Sequence, residues 1–265
     1  MDRDQQGPAR RPKAEGVGLR AVDELALLAT DLDALFVMSV SGRIARVNSR
    51  DGEPGPRVVL AGCRSGNLVR LRHDVGEPTA RDITALVRSE PPWSDPASRP
   101  GCLPTLASLL SREAPVVTVS RGIIYVLPRS LRYPTELSIV SGEEAAGRRW
   151  LERLAREGAP QALRDAGFKG VGDFWAPWCV ALDGEEVAAT AFAARLGTFG
   201  AEVGVYTFQG FRGRGFAAAV TARWSSLAEL ADRRLFYGTQ TTNRSSQRVV
   251  ERLGLARLGA SLSVT

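Results

Sequence analysis

Lysine is almost missing from this 265-residue chain: Lys13 and Lys169 are the only two, although lysine and arginine together number 35. The net charge of +6 and the pI of about 9.8 therefore rest on arginine. The arginines are dispersed apart from pairs such as Arg10–Arg11, Arg148–Arg149 and Arg233–Arg234. That pattern fits solvated faces better than a nucleic-acid patch, though it still suits an anionic small molecule. Histidine is scarcer still. His73 is the only one, so a Ser-His-Asp or Cys-His mechanism would depend on a residue in an arginine-rich segment that reads as an exposed strand. Cys63, Cys102 and Cys179 are an odd set, far apart and without a C-x-x-C spacing. They argue against a disulfide framework and against a metal site, and fit a reducing compartment. No stretch approaches the ~18 apolar residues of a membrane span, and MDRDQQGPARRPKAEG has no apolar run after its charges. The expectation is a soluble, cytoplasmic protein that takes no metal and no membrane partner.

What is present divides into three parts. Residues 1–18 read as a disordered polar tail. Residues 19–140 read as a small α+β domain of unassigned role. It opens with Leu25, Leu28, Leu32 and Leu35 at helical spacing, then a hairpin turning at Ser41–Gly42. A helix over 79–90 is expected to start on Thr79 as N-cap. Residues 141–265 form a second unit, in which Ser141 and Glu144 have the spacing of a capping box. Asp183–Gly184 marks a hairpin, and the order expected after Ser141 is ααβββαβαβ, with one helix spanning 216–231.

The stretch GFRGRGFAAAV at 210–220 decides most of the functional reading. A bare turn needs no ligand. A dinucleotide fingerprint would need several βα units after it, and only about fifty residues remain. Arginine-glycine RNA-binding segments are repetitive and disordered, and this one is neither. A strand, a glycine turn and a helix N-terminus together present unpaired amides at the positive end of a helix dipole, which is a phosphate site. Gly213 and Gly215 would let oxygens approach the main chain, while Arg212 and Arg214 add charge.

Arg212-Gly-Arg-Gly215-Phe-Ala217 resembles the R/Q-x-x-G-x-G/A signature of the GNAT superfamily of acyl-CoA-dependent N-acyltransferases. Downstream, Asn243, Ser246, Val249, Val250 and Gly254 are similar to that family's second block, about thirty residues on and with a strand between. The resemblance covers roughly residues 141–265. The part before it is similar to the N-terminal half of two-part, glycine N-acyltransferase-like enzymes in length and mixed character only.

The resemblance implies an α+β fold with a mixed, mostly antiparallel sheet flanked by helices. It implies acetyl-CoA or another acyl-CoA as co-substrate, held by Val205, Tyr206, Thr207, Arg212, Gly213, Arg214, Gly215, Phe216, Ala217, Asn243 and Ser246. It also implies direct attack by the amine of a small molecule or amino acid, with Glu202 the candidate base. The family's usual acidic tyrosine position is Val250, so Tyr206 and Tyr237 are the candidates to replace it. Phe174, Trp175, Trp178 and Trp224 are candidates for an acceptor pocket or for core. A sensor that binds acyl-CoA without chemistry, or a transferase acting on a protein or tRNA-linked amine, are the alternatives. A homodimer is compatible with all of these.

Overall fold

The computed structural model describes residues 23–265 except Ala166. The tail expected over 1–18 lies outside the described residues. The N-terminal part contributes α1 (Glu24–Leu35), a small hairpin of β1 (Phe36–Met38) and β2 (Ile44–Val47), then β3 (Val58–Cys63) and β4 (Gly66–Leu71). Helices α2 (Glu77–Ser89) and α3 (Leu103–Ser111) follow, and then β5 (Val119–Leu127). The rest runs β6 (Ser138–Ser141), α4 (Ala145–Glu157), α5 (Gln161–Asp165), β7 (Trp178–Asp183), β8 (Glu186–Leu196) and β9 (Gly200–Thr207). It ends with α6 (Phe216–Trp224), β10 (Arg234–Gln240), α7 (Arg244–Leu253) and β11 (Ala256–Val264). The fold is α+β, and the element order expected after Ser141 is the one observed.

Nine of these strands form one sheet in the order β4-β3-β11-β5-β10-β9-β8-β7-β6. All its neighbours are antiparallel except β9 and β10. The sheet draws strands from both sides of Ser141, and β5 lies between β10 and β11. Alternation along each strand sorts side chains to two faces. Val59 and Ala61 of β3, Ile124 of β5 and Phe236 of β10 meet α1 through Leu28 and Leu32. Val58 and Leu60 point the other way, onto α2 and α3. On that second face Leu235 and Tyr237 pack with Phe216, Val220 and Trp224 of α6 and Val250 of α7. Central strands covered on both sides can be apolar throughout, as VVLAGC is.

Three local expectations are corrected. The helix expected from Thr79 starts two residues earlier, with Gly76 as N-cap and Pro78 in its first turn, where a missing N–H costs nothing. Ser141 caps nothing: it is the buried last residue of β6, and α4 begins after Glu144, whose carboxylate instead pairs with Arg223. The helix from Phe216 stops at Trp224, because the Trp224 indole is fully buried and donates to the Pro177 carbonyl at 2.8 Å, turning the chain at Ser225.

Helix α1 sits on β9 at a glycine. A Cβ at Gly200 would lie 2.9 Å from the Thr30 carbonyl oxygen and 3.3 Å from the Ala34 Cβ. Gly200→Ala should therefore cost about 1–3 kcal/mol, measured by urea unfolding, because backbone rather than a flexible side chain has to give way.

Candidate active site

β9 and β10 run parallel for only three residue pairs, Gly200 with Arg234, Ala201 with Leu235 and Glu202 with Phe236. Both strands continue, to Thr207 and Gln240, but no longer pair. β10 stays with β5 along Leu235–Gln240 and β9 stays with β8, so the sheet opens between them. The Phe208 N–H donates to the Ala188 carbonyl. By the alternation of an antiparallel ladder, Val205 and Thr207 then aim their main-chain groups into the opening.

The strand, a short turn and α6 follow in sequence. Gly213 and Gly215 both have left-handed backbone, φ +81° and +91°, which a β-carbon would strain. Gly215 is the N-cap of α6 and supplies no side-chain oxygen, so the first-turn amides of the helix have no cap. A groove of about 430 Å³ joins this helix end to the opening in the sheet. It is lined by Val205, Tyr206, Thr207, Arg212, Gly213, Gly215, Phe216, Ala217, Tyr237, Asn243 and Ser246 among others.

Two arginines of the lining escaped the sequence reading. Arg248 and Arg252 stand four apart on α7, one helical turn, and both reach the groove. The Arg252 guanidinium donates to the Gly213 carbonyl at 3.2 Å. Arg212 donates to the Thr207 carbonyl at 3.3 Å. The groove is thus ringed by three guanidiniums beside a helix N-terminus, which suits a phosphate-bearing ligand. The i, i+4 arginine spacing is visible in the sequence, but on an exposed helix it looks like ordinary solvated charge. Arg214 goes elsewhere: it lies 3.6 Å from Asp183 and 4.7 Å over the Phe216 ring, outside the groove lining. Asn243 caps α7 by accepting from the Ser246 amide at 3.1 Å.

Glu202 and Tyr237 stand on opposite faces of the sheet beside the opening. Glu202 shares its face with Gly200 and points over Gly238, where a Cβ would meet its carboxylate at 2.4 Å. Burial pushes its carboxyl up to about 7, against the Arg195 guanidinium, its cross-strand partner on β8, which pulls it down. Tyr237 faces α6 and α7, with its hydroxyl 2.9 Å from the Ser246 hydroxyl in the groove. Burial raises its phenol, the Ser246 bond lowers it and the Glu202 charge raises it again. Tyr206 belongs to the Glu202 face, where its ring packs against Phe168 and Phe208.

Other residues named by the sequence lie in or beside the core. Val250 is buried in the core. Phe174, Trp178 and Trp224 are buried too, and none lines the groove; Trp175 is half-buried. The three cysteines are free and buried, and burial lifts the Cys102 and Cys179 thiols to about 12, so neither is a thiolate at neutral pH. His73 is exposed beyond β4. Among the described residues no cluster could hold a metal ion, and no helix is long and apolar enough to cross a membrane.

Residues 128–256 match the family model described as an acetyltransferase (GNAT) domain. Over that span, a little under half of the chain, the sequence is similar to the GNAT acetyltransferases. The GNAT match begins within the segment that follows β5 and ends at the start of β11. A search of curated proteins returns no match. Among solved structures, the chain is similar to a GCN5-related N-acetyltransferase from Kribbella flavida, at 17% identity over 61% of this chain and 63% of that one, with a TM-score of 0.39. It is similar to a GCN5-related N-acetyltransferase-like protein from Streptococcus suis at 15% identity, 79% and 84% coverage and a TM-score of 0.41. An acetyltransferase of the GNAT family from Colwellia psychrerythraea matches at 13% identity over 91% of this chain and 95% of that one, with a TM-score of 0.40. The match to the Kribbella structure spans a little under two thirds of that protein's length.

Ser246→Ala should move the Tyr237 phenol further up, because it removes the one bond that favours the phenolate. Tyrosinate absorbance against pH, compared with the parent chain, reads the shift.

Proposed function

We propose that this protein is an N-acyltransferase that moves an acyl group, most simply acetyl, from acyl-CoA to a primary amine of a small molecule or amino acid. One observation carries the reading: a cationic groove at a helix N-terminus runs into a break in the sheet that has a carboxyl on one side and a phenol on the other. The pyrophosphate suits the α6 amides and Arg212, Arg248 and Arg252. An amide-bearing arm suits the main chain of Val205 and Thr207, which would pair with it as with an added strand. A main-chain N–H there also suits the thioester carbonyl oxygen as it gains charge.

The chemistry then divides across the sheet. The amine nitrogen bonds to the thioester carbon and the carbon–sulfur bond breaks. Glu202 takes the proton that leaves the ammonium. A base poised near 7 is well matched to that task at neutral pH. The departing sulfur takes a proton on the opposite side, from Tyr237, whose hydroxyl is held by Ser246. The second proton that the nitrogen loses on becoming an amide passes to solvent, and solvent reprotonates the Tyr237 phenolate. A thiol with an ordinary pKa of ~8.5 leaves tolerably without help, so Tyr237 assists a step that Glu202 controls. With Val250 buried in the core, Tyr237 from the neighbouring strand supplies the hydroxyl that the family's second block lacks here.

Incubation with acetyl-CoA and a library of primary amines should release free thiol. Glu202→Gln should lower kcat about 10²–10⁴-fold with acetyl-CoA binding intact, and parent activity should fall as pH drops below about 7, as Glu202 protonates. The double variant Arg248→Ala, Arg252→Ala should weaken acetyl-CoA binding by calorimetry and flatten its salt dependence. Failure to bind acetyl-CoA at near-millimolar concentration refutes the reading. Binding without turnover of any amine makes the protein a sensor instead.

A further inference from the structure

Asp31, on α1, is fully buried, and neither of its carboxyl oxygens has a hydrogen-bond partner among the described residues. A bare carboxylate in such a place is very costly, so the group is carried as the neutral acid, and burial holds it in that form. A neutral acid still has an O–H that needs an acceptor. Asp33, two residues on, is turned outward to Arg70 of β4 at 3.4 Å and offers none. The charge that Asp31 does feel is that of Glu202. The close seating of α1 on Gly200, two residues before Glu202 on the same face of β9, sets the helix that carries Asp31 over the Glu202 side of the sheet. The other charged group facing Glu202 is Arg195 from β8, while Tyr237 of β10 feels the Glu202 charge from the opposite face of the sheet.

We propose that Asp31 is a positioning residue for Glu202, the two carboxyls sharing one proton, with the Asp31 O–H donating to the ionised Glu202 and aiming it at the opening between β9 and β10. The inference rests on the reading of Glu202 as the base. The bond is not made in this structure, where both Asp31 oxygens are unpartnered; ionisation of Glu202 is what gives the Asp31 proton its acceptor. The pair then carries one negative charge over the neutral range, not two, because adjacent carboxylates in a buried site do not both ionise. As Glu202 accepts the proton from the ammonium the shared bond weakens, and as that proton leaves for solvent the bond is restored. The N-terminal part of the chain thereby supplies a group to the chemistry of the GNAT part. A leftover buried acid with no such role would behave differently: its replacement by leucine would stabilise the protein and change nothing else.

The test uses the full chain with isotope-labelled side-chain carboxyls, followed by NMR against pH, with the Glu202 signal assigned by its loss in Glu202→Gln. Asp31→Leu should move the Glu202 titration upward by about one pH unit, since loss of a donor to the charged form disfavours that form. Asp31→Asn, whose amide also donates, should restore it and serves if the leucine variant does not fold. Thermal stability of the parent should decline as pH rises through about 7, because raised carboxyl pKa values mean that the folded state holds protons the unfolded chain releases. Asp31→Asn should flatten that decline. With acetyl-CoA and the amine that turns over, Asp31→Leu should lower kcat and shift its acid limb upward, with KM for acetyl-CoA unchanged. An unmoved Glu202 titration in Asp31→Leu overturns the proposal. An inactive Glu202→Gln beside a fully active, unshifted Asp31→Leu overturns the role of Asp31 alone. A fully active Glu202→Gln overturns the base assignment and the role of Asp31 with it.

Discussion

The short parallel pairing of β9 with β10 is the constraint on which the rest of the molecule depends. A parallel pair inside an antiparallel sheet cannot be closed by a hairpin, so the chain must cross over, and the crossover is α6. That requirement puts a helix N-terminus at the end of β9. The same pairing ends after three residues because β10 follows β5 and β9 follows β8. The opening, the uncapped helix end and the two side chains beside the opening are therefore consequences of one topological choice. Small residues let it happen: Gly200 admits α1, and Gly238 makes room for the Glu202 carboxyl.

Much of this was legible in the sequence. The glycine turn before α6 could be read because left-handed backbone and bare amides both demand glycine. The second block could be read because Asn243 and Gly254 are a helix cap and a helix stop with fixed spacing. Of the eleven residues expected at the acyl-CoA site, all but Arg214 line the groove. Arg214 turns out of the groove because Asp183 and the Phe216 ring compete for it, and charge alone does not say which way a side chain turns. Arg248 and Arg252 were hidden for the converse reason: a basic α7 face looks solvated until the fold sets α6 beside it.

Long-range pairing was the least legible part. Nothing in VSRGIIYVL says that β5 will lie between β10 and β11, more than a hundred residues downstream. Its apolar alternation says only that both faces will be covered. Likewise the leucines of α1 announce a buried stripe, but not that it will lie over Phe236 and the β9–β10 pair. The side-chain pairing of Tyr237 with Ser246 depends on which strand flanks α7, and this too is a tertiary fact. Local chemistry is written in spacing; the partners of a strand are not.

The position of β11 has a consequence for how the molecule comes into being. This strand follows every other strand in chain order, yet it is hydrogen-bonded between β3 and β5. During synthesis the hairpin of β3 with β4 can form early, but it cannot join the remaining strands until β11 has emerged to bridge them. Most of the sheet's contacts are thus distant in sequence, a topology that folds slowly and leaves strand edges open in the meantime. Closure of the sheet becomes a late event, with the N-terminal strands waiting for the final one.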